Sequence, residues 1–252
     1  MSYRLSIRNL TVSLGDAERR FTLRSGSWTA TGGDVIGITG PSGSGKTLLL
    51  ELLGLLRAPL TGQYRAEPDS DGSPELAFDQ FWQERGGAQH RTVARARFFG
   101  FVPQSGGLLP YLSVTENIAL SQQIAQRVDQ HWLSHLITSL GLERAAQLRP
   151  AALSIGQRQR VAIARALAHK PFCVIADEPT AALDPETAES AMGLLIAAAR
   201  DAGSATVLSS HDFVTLEKFE MRRMKLQIVS EPGAREVVSE LVPQSVQAEA
   251  AS

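Results

Sequence analysis

The sequence predicts an α/β fold, and three features carry that expectation. A short apolar run, Val35–Thr39, leads through a glycine-rich turn into a segment of helix formers, Lys46–Leu56. A second apolar run, Phe172–Ala176, lacks alternation, as expected of a strand covered on both faces. It is followed by a helical segment, Pro185–Ala202, and a further strand, Ala205–Ser209. Strand and helix therefore alternate, the pattern of helices packed on a mostly parallel sheet.

The other elements follow from periodicity. Tyr3–Val12 alternates apolar and polar residues and Phe21–Trp28 does so less regularly, so both are expected as half-exposed strands of an antiparallel layer. Residues 58–97 hold a Pro/Gly/Asp-rich stretch, a short apolar piece (Leu76–Phe78) and an Arg-rich run (Arg91–Arg97), and read as loops and small strands. Val114–Leu148 places apolar residues at helical spacing with a break at Gly141, which predicts a helical subdomain over about residues 110–152. Ile155–His169 is the clearest helix. From Glu231 the chain turns polar and Ala/Ser/Gln-rich, so residues 1–230 are expected as the domain and 231–252 as an extension with a disordered end.

Composition narrows the function. A chain of 252 residues, 43% of them hydrophobic, can bury the core of one large domain. A net charge of -1 provides no overall field for nucleic acid or anionic lipid, so any phosphate chemistry must be local. Cys173 is the only cysteine, which excludes an internal disulfide and a Cys-rich metal site. The most apolar stretch, Leu48–Leu56, is interrupted by Glu51 and falls well short of the roughly 20 residues of a membrane span. Met1–Leu10 lacks the apolar core of a signal peptide. The chain is expected in the cytoplasm, with any membrane crossing supplied by another protein.

Gly40-Pro41-Ser42-Gly43-Ser44-Gly45-Lys46-Thr47 matches G-x-x-x-x-G-K-[ST] and sits between a strand and a helix. Its glycines let backbone N–H groups turn inward around phosphate oxygens, and the helix start adds its dipole. Lys46 is expected on the β and γ phosphates and the Thr47 hydroxyl on Mg²⁺. Phe172–Glu178 delivers Asp177 and Glu178 at the carboxyl end of an apolar strand, where ligands of open α/β sheets sit. Asp177 is placed for the metal shell and Glu178 to polarise a water; by itself the pair reads equally as a polar strand end or a helix cap. Ser154, before an amphipathic helix, reads by itself as an N-cap.

Leu153-Ser154-Ile155-Gly156-Gln157, taken with these motifs, resembles the signature of the ABC ATPase family, Leu-Ser-Gly-Gly-Gln. The resemblance extends to Gln104 in Phe101-Val-Pro-Gln, Ala182-Leu-Asp184, and His211 in Ser-Ser-His-Asp, all in family order. It implies a P-loop NTPase core with an antiparallel β subdomain and an inserted helical subdomain, pairing with a second copy around two Mg-ATP. In such a pair, Ser154, Gly156 and Gln157 would contact ATP held by the opposite subunit. Gln104 would touch Mg²⁺ or the attacking water, His211 would hold the γ-phosphate, and Asp184 would cross the interface. Ile155 stands where the family has its first signature glycine. A β-branched residue does not readily adopt positive φ, so this departure bears on turnover. The family's adenine-stacking aromatic is also replaced: Leu14 stands at that position, with Phe21 the nearby aromatic.

Arg97–Asn117 and Ala176–Asp184 are similar to the lipoprotein-release and macrolide-export ATPases. That branch implies a cytoplasmic subunit, peripheral at the inner face of the membrane, driving a separate permease whose coupling helix meets residues 104–115. Two rivals share the same motifs: a non-transport ATPase regulating a membrane-bound hydrolase or a division complex, and an ATP-binding module that hydrolyses poorly.

Overall fold

The computed structural model describes residues 3–15, 20–68, 74–231 and 234–244. Its parallel core consists of β4 (Val35–Thr39), β7 (Phe99–Val102), β8 (Cys173–Asp177) and β9 (Ala205–Ser209), ordered β4-β9-β8-β7. Every residue of β4 and β9 is buried, as expected of strands covered on both faces. On the other side of β4 runs β10 (Arg222–Ile228), also parallel to it.

An antiparallel layer comprises β1 (Tyr3–Gly15), β2 (Arg20–Arg24), β3 (Ser27–Thr31), β5 (Thr61–Pro68) and β6 (Leu76–Ala77). One edge of β1 pairs with β5, and the other with β3 and then β2. The segment 21–28 is thus two strands rather than one. Ser25-Gly26 interrupts it: the Ser25 hydroxyl accepts from the Leu10 N–H at 3.0 Å while Asn9 takes a left-handed φ of 50°.

Two segments depart from the sequence reading. The Arg-rich run forms helix α2 (Gly87–Phe98), not loops and small strands. Arg and Ala are strong helix formers, but only Gly87 and Ala94 are buried, so no apolar stripe marks the helix. In the supposed C-terminal extension, β11 (Glu236–Pro243) pairs antiparallel with β10 and parallel with β2, joining the two layers into one eleven-stranded sheet. Leu241 and Ser239 of this strand are buried. Residues 245–252, where disorder is expected, lie outside the described residues.

The remaining helices are α1 (Lys46–Leu53), α3 (Val114–Ala125), α4 (Gln130–Ser139), α5 (Ile155–Leu167), α6 (Pro185–Asp201) and α7 (Phe213–Glu217). Side chains cap α3 to α7: Ser113 and Ser154 form reciprocal capping boxes with Glu116 and Gln157, and Asp129, Asp184 and Asp212 accept from their first turns. Helix α1 begins at Gly45 with no side-chain cap. Its first N–H groups are left for a ligand.

Two apolar clusters hold the layers together. One packs Leu5, Ile7 and Trp28 of the antiparallel layer against Ile36, Ile38, Leu49 and Leu52. The other joins Ile118, Leu136, Val161, Val174 and Leu195 of the helices and core strands. Each fully buried aliphatic side chain contributes about 1.5–3 kcal/mol relative to exposure. No helix among the described residues is long and apolar enough to cross a membrane.

Candidate nucleotide site

The loop between β4 and α1 turns on glycine geometry. Gly40 has φ 147°, and a Cβ there would lie 2.7 Å from the Leu226 carbonyl oxygen of β10. Gly45 has φ 93° and sits under Phe21 and Leu23. The loop is therefore shaped by strands on both sides, and a side chain at Gly40 or Gly45 would displace it. Lys46 is buried, and its ammonium donates to the carbonyls of Gly40 (3.0 Å) and Pro41 (3.3 Å). Burial lowers its pKa, against the opposing pull of Glu178 and Asp177.

The carboxyl end of β8 faces this loop. The Thr47 hydroxyl donates to Asp177 Oδ2 at 2.8 Å, and the Ser209 hydroxyl donates to Asp177 Oδ1 at 2.7 Å. Ser209 also accepts from the Glu178 N–H at 3.0 Å. Glu178 itself takes a left-handed φ of 46°, a conformation costing a non-glycine residue about 1–3 kcal/mol. That turn carries its carboxylate to His211, whose Nε2 lies 2.6 Å from Glu178 Oε1.

A cavity of about 380 Å³ lies over the loop, bounded by Gly43, Lys46, Thr47, Glu178 and His211, with Leu14 and Phe21 at one wall. Leu14 and Phe21 are cross-strand partners of β1 and β2. Phe21 also packs on the core cluster. A neighbouring groove of about 180 Å³ shares Thr47 and adds Asp177, Gln104, Phe101 and Leu56.

Thr47, Asp177 and Gln104 thus offer hydroxyl, carboxylate and amide oxygens in one place, a donor set suited to a hard cation such as Mg²⁺. No group of three or more His, Cys, Asp or Glu that could hold a metal gathers among the described residues. A cation here would complete its shell with phosphate oxygens and water.

The structure brings Gly40 to Thr47, Asp177, Glu178 and His211 together, with Gln104 beside them. Ser154, Gly156 and Gln157 do not line this cavity. Ser154 and Gln157 cap α5 reciprocally at 2.9 and 3.2 Å, and Asp184 caps α6. The Ser154 oxygen is used as an acceptor, which leaves its O–H free to donate. Ile155 is the first residue of α5 and does not have positive φ. The conformational objection to a β-branched residue there falls away, because a helical N1 position never needed glycine; its side chain is 51% exposed.

Two residues escaped the sequence reading. Ser209 orients both carboxylates, and Ser239 of β11 donates to the Ser44 carbonyl of the phosphate loop at 2.7 Å. Each is a serine in an apolar strand whose partner lies far along the chain.

A backbone phosphate cradle at the carboxyl ends of parallel strands, facing a hydroxyl–carboxylate pair and a second carboxylate, defines a phosphate-loop nucleotide hydrolase. Residues 23–181 match the ABC transporter family, and the chain belongs to that family as its ATP-binding, ATP-hydrolysing component. It is 41% identical over 184 residues to the lipoprotein-releasing system ATP-binding protein LolD of Hyphomonas neptunium, covering 72% of this chain and 75% of that protein. The LolD of Idiomarina loihiensis is 37% identical over 220 residues, or 86% and 91%. The dimeric, post-hydrolysis structure of the ATP-binding cassette MJ0796 with ADP and Pi superposes with a TM-score of 0.70 at 30% identity, covering 92% of this chain and 96% of that one. A second dimeric structure of MJ0796, a bacterial ABC transporter cassette, gives 0.67 at 30% identity.

Proposed function

We propose that this chain is the ATPase subunit of a lipoprotein-releasing transporter, working as a homodimer at the cytoplasmic face of the membrane through a separate permease. The observation that carries the catalytic part is the convergence of Lys46, Thr47, Glu178 and His211 on one cavity, with Asp177 bonded to Thr47 beside it. The transport part rests on the 37–41% identity to LolD proteins over most of the chain. The ATPase domain runs through β11, and residues 110–152 are its helical subdomain.

Mg²⁺ held by Thr47, Asp177 and Gln104 would neutralise phosphate charge. The α1 N-terminus and loop amides cradle the phosphates, and Lys46 exchanges its loop carbonyls for β and γ oxygens. Glu178 accepts a proton from the attacking water, the bond from γ-phosphorus to the bridging oxygen breaks, and ADP leaves with the electron pair. His211, already against Glu178, steadies that carboxylate and the γ-phosphate. Ser154, Gly156 and Gln157 act on nucleotide bound by the partner subunit, the Ser154 hydroxyl donating to phosphate. Leu14 and Phe21 form the apolar wall for adenine.

The test is reconstitution of this chain with the permease encoded beside its gene, in vesicles carrying an acylated lipoprotein. ATP-dependent release of the lipoprotein to a soluble acceptor is expected, and hydrolysis without release would overturn the transport assignment.

A further inference from the structure

A second cavity, about 500 Å³ and bounded by none of the residues of the nucleotide cavity, opens at the amino ends of β8 and β9. It lies between the end of α2, the α3–α4 loop and the turns that lead into the two strands. Its volume is within the range of small-molecule sites.

The lining is cationic in a chain whose net charge is -1. Arg97, Arg127 and Lys170 face one carboxylate, Asp129. Asp129 is engaged twice, capping α4 at Trp132 N and pairing with Lys170 at 2.9 Å. Neither Arg97 nor Arg127 forms an ion pair among the described residues; Arg127 donates only a long bond, 3.4 Å, to the Arg97 carbonyl. The cavity thus holds an excess of two positive charges, both guanidinium forks without an acid.

Two further features point the same way. His169, 95% buried, lines the cavity with Nε2 on the Phe99 carbonyl at 3.1 Å and Nδ1 without a partner among the described residues. An unsatisfied buried nitrogen of this kind is uncommon in native proteins. Lys170 holds a left-handed φ of 49°, so the turn that positions its ammonium carries strain. The lining also holds aromatic rings, with Tyr3 edge-on to Phe98 and Phe172 at 5.3 and 6.2 Å.

We propose that this cavity is a second ligand site, for a small organic anion that combines a phosphate group with a flat apolar body. Arg97 and Arg127 take the phosphate through forked, charge-assisted hydrogen bonds, Lys170 adds a third donor, and the body lies against Tyr3, Phe98 and Phe172.

The probe is phenyl phosphate, titrated calorimetrically at pH 7.5 into full-length Lys46→Ala protein, in which the phosphate loop is weakened. One site with a Kd on the order of 0.1 mM is expected for an eleven-atom anion. Adding Arg97→Gln and Arg127→Gln should weaken it about tenfold or more, the scale of lost charge-assisted bonds. In an otherwise wild-type chain the same two substitutions should leave melting temperature and basal ATP hydrolysis unchanged. Absence of saturable binding, or binding indifferent to the two arginines, would overturn the site. Equal affinity for inorganic phosphate would overturn the part assigned to the aromatic rings.

Discussion

Replacing Ser209 with alanine isolates how the two carboxylates are held. Ser209 is fully buried and makes two bonds through one oxygen, donating to Asp177 and accepting from the Glu178 N–H. The bond to the ionised Asp177 is worth about 1.5–3 kcal/mol and the amide bond about 1 kcal/mol. The second bond also offsets part of the cost of the left-handed Glu178 backbone. If half or more of this free energy aligns Glu178 and Asp177 for catalysis, kcat falls about 10- to 100-fold, at 1.4 kcal/mol per tenfold. ATP affinity should change by less than about threefold, because the loop amides and Lys46 are untouched. Steady-state phosphate release and a fluorescent-nucleotide titration separate the two. Ser209→Thr keeps the hydroxyl in a strand position and should restore most of the rate. A Ser209→Ala enzyme that hydrolyses ATP within about twofold of wild type would refute the assignment of Ser209 as a positioning residue.

Lys46→Ala should weaken ATP binding itself, since its ammonium contacts ground-state phosphates; unchanged affinity by calorimetry would count against the loop assignment. Glu178→Gln should keep ATP affinity, lose about 10²- to 10⁴-fold in turnover and accumulate an ATP-bound dimer, visible by gel filtration; normal turnover would remove Glu178 from the role of base. His169 has its pKa lowered to about 4 by burial, so the folded protein resists the proton that the unfolded chain takes up below about 6.5. Stability attributable to this group is intact above pH 6.5 and falls by about 3 kcal/mol as pH drops to 4. Denaturant unfolding of His169→Gln should show that much less acid sensitivity, and parallel profiles for the two proteins would contradict it.

The phosphate loop, the two carboxylates and the strands that present them were legible because each motif is local: contiguous residues whose spacing matches the period of a strand or the turn of a loop. The same holds for helix α5, announced by the N-cap Ser154. Strand β11 was not legible, because its apolar residues Val237, Val238, Leu241 and Val242 are set in a polar, Ala/Ser/Gln-rich context, and its pairing partners are β2 and β10. Helix α2 was hidden by arginines, which carry helix propensity without periodicity. Ser209 and Ser239 were invisible for a different reason: a serine in an apolar strand shows its value only when its long-range acceptor is in place. Ile155 is the converse case: the signature position it fills is helical, where a β-branched residue fits without positive φ.

The central claim is a composite ATPase site shared between two copies of this chain, with Ser154 acting across the interface. It is tested most directly by mixing Lys46→Ala chains with Ser154→Arg chains and measuring ATP-dependent dimerisation. In the mixed dimer one site inherits both defects and the other inherits neither, so the intact site should support pairing that neither mutant achieves with itself. A mixture that pairs no better than the two separate mutants would contradict the composite site, leaving Ser154 as the N-cap of α5 and nothing more.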